Sequence, residues 1–472
     1  MGENMLKRWT AIIAAVVLCV AAVGLTQAAD FDPQAATDAY LGTVDAAAKQ
    51  KSDAYYEGGY WFILWNALAS MGAALLLLFT RASAGMRNVA EAITDRRGLQ
   101  TFIYGIQFII TTTLLTFPLT YWQDYVREHE FGLSNLSREA WLVEYATGFA
   151  VNLVMTSIFL VALYGIIRRA GEAWWLWATG LTVGFFIFVI AVSPVFIAPL
   201  FNEYKPMREG PLKEEILAMA RANGVSADDV YEFNASRQSK RISANVSGFL
   251  GTTRISLNDN LLDRGTPAEV KAVMAHEIGH YVLGHMYEII VTLAVLAAVA
   301  FLFVDIGFGT LHGIFGRLWG VRDFGDTAGL PILMFMFSLF GLLATPVTNS
   351  MTRANEAEAD IFGLNAAREP DGFATIALKL AEYRKLDPGP WEEVFFYDHP
   401  SGRARIHMAM QWKATQPAGS LLTPQAMVSP PTMTASQEHA AEVIVPPVFA
   451  PVEGDTEPPA FQDLPAAAHT DR

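Results

Sequence analysis

His276 and His280 stand four residues apart, and Glu277 directly follows the first of them. On a helix this spacing puts both imidazoles on one face, one turn apart, where they can share a single metal ion. Glu277 is then within reach of an attacking water as its general base. This is the zincin H-E-x-x-H arrangement, whose chemistry is zinc-assisted hydrolysis of a peptide bond. The same pattern also arises on ordinary solvated helix faces. Here Val270, Val273 and Met274 line the segment and a long apolar run follows within a few residues, which argues against a solvated face. The extended metzincin form needs a glycine and another histidine where Leu283 and Met286 stand. His285 is therefore read as an interfacial or supporting histidine rather than a ligand.

The element that must carry these residues is legible. Thr266 with Glu269 three residues on is a capping box, and Pro267 suits the first helical position. A helix should start there and run through the histidines. Catalytic zinc usually takes three protein ligands and leaves a fourth position for water. The single cysteine, Cys19, excludes a thiolate cluster or a disulfide framework. The best third ligand lies in the segment 352–360, where good helix formers put Glu356 and Asp360 on one face. Glu356 can ligate the ion while Asp360 accepts the free N–H of a ligating histidine and fixes its tautomer. Glu358 is a rival ligand, and an exposed acidic helix with Arg353 as its surface partner is the bland alternative.

These segments sit among apolar runs. Of 472 residues, 52% are hydrophobic and 17% charged, against about 25% charged in soluble proteins, and the mean hydropathy is +0.28. Six stretches, roughly 60–80, 102–122, 148–168, 173–200, 288–309 and 329–348, approach or exceed the ~20 residues needed to cross a bilayer. The net charge of −14 disfavours a nucleic-acid partner. Residues 1–29 combine Lys7 and Arg8 with an apolar run and small residues before Asp30, the pattern of a signal peptide or of a first transmembrane helix. The expected organisation is that segment, a multi-span membrane domain at 30–202, a metallopeptidase domain at 203–415 that includes two spans, and a tail at 416–472. The tail holds ten of the 23 prolines, from Pro417 to Pro465, and its composition predicts disorder. The fold class is mainly α, a polytopic helical bundle with an H-E-x-x-H catalytic domain containing a small β-sheet.

Several further motifs resemble those of the integral-membrane type I CAAX prenyl endopeptidases, the a-factor-converting zinc metalloproteases, over roughly residues 60–412. His276-Glu277-Ile-Gly-His280 extends to Gly284-His285 as in that family's HE(L/I)GHxxxGH. Thr352-Arg353 followed by Glu356 and Asp360 is similar to its (S/T)RxxExxAD, Ala198-Pro199-Leu200-Phe201-Asn202 to its APLF(D/N), and Arg254 to Leu262 to its RIVLxDTLL. His399-Pro400 with Arg405 resembles HPxxxxR. The resemblance implies Glu356 as the third zinc ligand and one Zn2+ per chain. It also implies that His399 and Arg405 act near the substrate backbone and the transition-state oxyanion. Its substrate-edge segment often reads NAYxxG, whereas this chain has Ser243, Asn245 and Gly248 at the corresponding places, so peptide preference is expected to differ. These three residues are the candidates for pairing with a substrate strand.

The expected function is therefore a membrane zinc metalloendopeptidase, acting on a peptide or protein substrate at the bilayer, in the cell (inner) membrane. Prenylated-type and damaged membrane proteins are both candidate substrates. A multi-span transporter and an inactive zinc-bearing scaffold are the alternatives. On sidedness the indications conflict. Arg81, Arg87, Arg96, Arg97, Arg168 and Arg169 follow the first and third stretches, which by the positive-inside rule are cytoplasmic. Simple alternation then carries the zinc domain outside, while the resemblance implies a site open to the cytosol. A re-entrant 173–200 stretch would reconcile the two in favour of the family topology.

Overall fold

The computed structural model describes residues 31–247 and 253–417. The signal-like segment 1–29, Gly248 and almost all of the Pro-rich tail lie outside the described residues. A short helix α1 (Pro33–Leu41) precedes α2 (Ala46–Phe79), α3 (Ala82–Ile93), α4 (Arg97–Tyr121), α5 (Arg138–Ile167) and α6 (Trp174–Phe196). α4 continues through a π-helical turn, Trp122–Arg127. The second half contains β1 (Tyr204–Pro206), α7 (Pro211–Ala222), β2 (Val230–Phe233), β3 (Ala244–Ser247), β4 (Arg254–Asn258) and α8 (Asp259–Arg264). It ends with α9 (Pro267–Leu283), α10 (His285–Trp319), α11 (Leu330–Ala367), α12 (Pro370–Leu380), α13 (Pro390–Phe396) and α14 (Gly402–Ala414).

Six helical segments among the described residues are long and apolar enough to cross a membrane. Their outer faces carry bare apolar side chains such as Leu114, Val154, Phe188, Val291, Ile306 and Leu343, each more than half exposed, as a lipid-facing surface requires. Inward, Leu78, Tyr104, Tyr164, Val304, Ile332 and Leu333 are almost wholly buried in one core. The helices extend beyond the apolar stretches that signal them. α2 starts at Ala46 and α11 runs on to Ala367, so Glu356 and Asp360 ride on the same continuous helix as the last span. Stretch 173–200 forms one helix, α6, about 34 Å long at 1.5 Å per residue, followed by a 3-10 turn at Ala198–Leu200. It is one continuous helix, long enough to cross once, with no re-entrant turn.

The soluble end is organised around a four-stranded sheet of order β1-β2-β4-β3. β2 pairs parallel with β4, and β3 pairs antiparallel with β4 so that Ala244 faces Leu257. β3 is therefore an edge. The residues after β4 form the short helix α8, capped by the Asn258 side chain on the Leu261 N–H at 2.9 Å. α9 begins at the capping box as read from sequence: Thr266 accepts from the Glu269 N–H, and Glu269 accepts from the Thr266 N–H at 2.7 Å. Ile255, Leu257, Val270, Val273, Met274 and Ile278 bury one face of α9 on the sheet. That burial leaves the opposite face, with the histidines, to meet α11.

Candidate metal centre

α9 and α11 can approach closely because small residues line their crossing. A methyl group on Gly363 would lie 3.0 Å from the His276 backbone nitrogen, and one on Gly279 would lie 3.3 Å from the Ala359 Cα. Spacing gave no hint of this requirement, although Gly279 lies within the histidine motif. Replacing Gly363 by valine forces the helices apart, at a cost of about 1–3 kcal/mol for overpacking. We expect a lowered Tm together with loss of bound metal, read by thermal unfolding and elemental analysis.

At the crossing, His276 Nε2 lies 3.1 Å from His280 Nε2 and 3.3 Å from Glu356 Oε2. Glu356 Oε1 lies 3.4 Å from His280 Nε2. One ligand atom from each of the three residues falls within 4.8 Å of the others. Two imidazole nitrogens and a carboxylate oxygen are the donor set of a catalytic zinc site. His276 and Glu356 are each 1% exposed, and Glu356 Oε2 and His399 Nε2 have no hydrogen-bond partner among the described residues. Buried polar atoms left without partners are costly, and a cation between them would satisfy the carboxylate and the imidazoles together. The residues fit a metal ion.

A second layer orients this set. His276 Nδ1 lies 2.8 Å from Asp360 Oδ1, which directs Nε2 toward the cluster. Asp360 is wholly buried and also accepts from Arg405 Nε at 2.8 Å, with Arg405 Nη2 on its other oxygen. Arg405 Nη1 is buried without a partner among the described residues. His285 Nδ1 meets His280 Nδ1 at 2.8 Å, so it supports a neighbouring imidazole and is not one of the three clustered residues. The Glu358 side chain is 62% exposed and lies 3.6 Å from His285.

Glu277 is 3% exposed and its Oε1 has no partner among the described residues. Burial pushes its carboxyl up to about 8, against the pull of His276 and Arg405. His399, from the loop between α13 and α14, points Nε2 at Glu356 Oε2 from 3.4 Å. Its Nδ1 rests 2.8 Å from Asp398, a partner not anticipated, although it is the adjacent residue. Arg353, read as a surface partner, instead holds this loop: it donates to the backbone carbonyls of Glu393, at 2.8 Å, and Tyr397. Ser243 and Asn245 flank the start of edge strand β3. Both are buried, and Asn245 Oδ1 has no partner among the described residues. Beside Asp398 a cavity of about 470 Å3, lined by Tyr55, Tyr60, Gln123, Arg127 and Asn349 among others, opens between the membrane helices.

Two family descriptions match almost end to end. "Peptidase family M48" matches residues 206–413, and "CAAX prenyl protease N-terminal, five membrane helices" matches residues 33–203. Four of the six candidate spans fall in the latter region. The chain is 29% identical over 336 residues to an uncharacterized metalloprotease of Bacillus subtilis, covering 71% of this chain and 79% of that one. It is 26% identical over 314 residues to CAAX prenyl protease 1 of Saccharomyces cerevisiae, covering 62% and 68%. The crystal structure of S. mikatae Ste24p superposes with a TM-score of 0.68 at 19% identity, covering 78% of this chain and 90% of that one. At that identity the likeness concerns the fold.

Proposed function

Because this chain belongs to peptidase family M48, as a multi-pass membrane metalloprotease related to the CAAX prenyl proteases, we propose that it is a zinc endopeptidase whose Zn2+ is held by His276, His280 and Glu356. The observation that carries this reading is the cluster of those three ligand atoms within 4.8 Å, buried at the α9–α11 crossing. A bound zinc ion supplies Lewis acidity toward the scissile carbonyl and lowers the pKa of water from about 16 toward 7.

The protein's own residues do the rest. Glu277 takes the proton of the attacking water and returns it to the leaving amine. Asp360, held by Arg405, keeps His276 in the tautomer that offers Nε2. His399, with Asp398 behind it, and the unpartnered Nη1 of Arg405 stabilise the oxyanion, a kind of contact often worth about 3–4 kcal/mol. Edge strand β3, with Ser243, Asn245 and the following Gly248, receives the substrate as an added strand. The organisation is that of a membrane domain at 30–202 and a metallopeptidase domain at 203–415, in the cell membrane.

Casein offered to the detergent-purified protein tests this. We expect one zinc per chain, cleavage by the untreated protein, loss of cleavage on chelation and recovery with added zinc. Zinc without cleavage of any unfolded protein would favour a scaffold, and no metal at all would overturn the reading.

A further inference from the structure

Every long helix joins the same two ends of the molecule, and hydrogen bonds identify them. At the catalytic end, Tyr60 in the first half of α2 donates to Glu392, Glu128 after α4 meets Arg241, Asn135 before α5 donates to Ser236, and Asn349 of α11 donates to Phe395. At the opposite end, Arg81 donates to Leu318, Ser83 to Ala328, Arg87 to Asp326 and Arg168 to Gly325. The connections 80–97 (which includes α3), 168–173 and 317–329 therefore form one face, far from the metal centre.

That face holds eight arginines: Arg81, Arg87, Arg96, Arg97, Arg168, Arg169, Arg317 and Arg322. Six of them, all but Arg87 and Arg168, are exposed. Among the described residues, the one short connection between spans at the catalytic end, 122–138, has only Arg127 and Arg138. Short loops rich in arginine stay in the cytoplasm, whereas long segments such as the 203–284 domain cross largely regardless of charge. With α6 a single crossing, no re-entrant segment remains to reverse the count. The amino end agrees independently. Helix α1 is on the catalytic side, where Arg403 of α14 meets Asp38 at 2.8 Å, and it follows an apolar run preceded by Lys7 and Arg8.

We infer that the metal centre faces away from the cytoplasm, so that its substrates are exported or externally exposed polypeptides rather than proteins modified at their C-termini in the cytosol. The sidedness rests on charge and topology alone; the substrate class rests in addition on the proposed protease activity.

The full chain permits a direct test, because Cys19 is its only cysteine. In a Cys19→Ser background, Glu130→Cys marks the catalytic end and Glu172→Cys the arginine face, both at exposed positions. Intact cells are treated with a membrane-impermeant maleimide before or after disruption. Labelling at 130 in intact cells, and at 172 only after disruption, is the expected result. The reverse, or equal labelling of both, would overturn the inference. Casein is then added to sealed vesicles of each orientation, and cleavage is expected only by right-side-out ones. Outward labelling with no cleavage in either orientation would leave the sidedness standing and overturn the substrate class, whereas cleavage only by inside-out vesicles would overturn both.

Discussion

Replacing Glu277 by glutamine should lower casein cleavage by about 10²–10⁴-fold, the usual contribution of a positioned general base, and leave one zinc per chain. The amide matches the carboxylate in shape, so the buried site on α9 accommodates it without a cavity. Glu277 is not among the three clustered donors, and its Oε1 has no partner among the described residues that the change would orphan. Cleavage and metal content are thus expected to separate, measured on the same preparation by peptide release and elemental analysis. If both fall together, Glu277 is holding the site's structure and its role as base is wrong.

The second large effect distinguishes the two glutamates of the 356–358 segment. Glu356→Ala removes one of the three proposed ligand groups. Losing a residue that merely orients a ligand costs 10–100-fold in metal affinity, so losing the ligand itself should cost at least about 100-fold. After dialysis the variant should hold far less than one zinc per chain and show no cleavage. Alanine is the best helix former, so α11 should persist, and unchanged far-UV circular dichroism would separate metal loss from unfolding. Glu358→Ala should keep both metal and activity, because Glu358 is 62% exposed. A metal-free Glu358→Ala beside a metal-replete Glu356→Ala would reverse the assignment.

That pair also marks where sequence reasoning stops. Two residues apart on a helix means about 200° of rotation at 3.6 residues per turn, so Glu356 and Glu358 cannot face the same neighbour. Period alone says they differ; which one faces α9 depends on how the two helices cross. Gly279 and Gly363 settle it by letting the backbones approach with Glu356 inward. Likewise, the buried face of α9 was readable from Val270, Val273, Met274 and the capping box. The apolar runs identified six spans but not their ends, because helices persist into the protein interior after the bilayer no longer demands apolar residues.

By itself the sequence determined whatever is local: the pairing of His276 with His280 on one face, the start of their helix at Thr266, and the number of apolar crossings among the described residues. These follow from helical period, backbone capping and the thickness of a bilayer, which act over a few turns of chain. Only the tertiary structure decided that His399 reaches Glu356 from a loop more than forty residues away, that Arg405 braces Asp360, that β3 lies at a sheet edge, and that the arginine loops share one face opposite the metal centre. Those outcomes depend on packing between segments distant in the chain, for which neither period nor composition carries a signal.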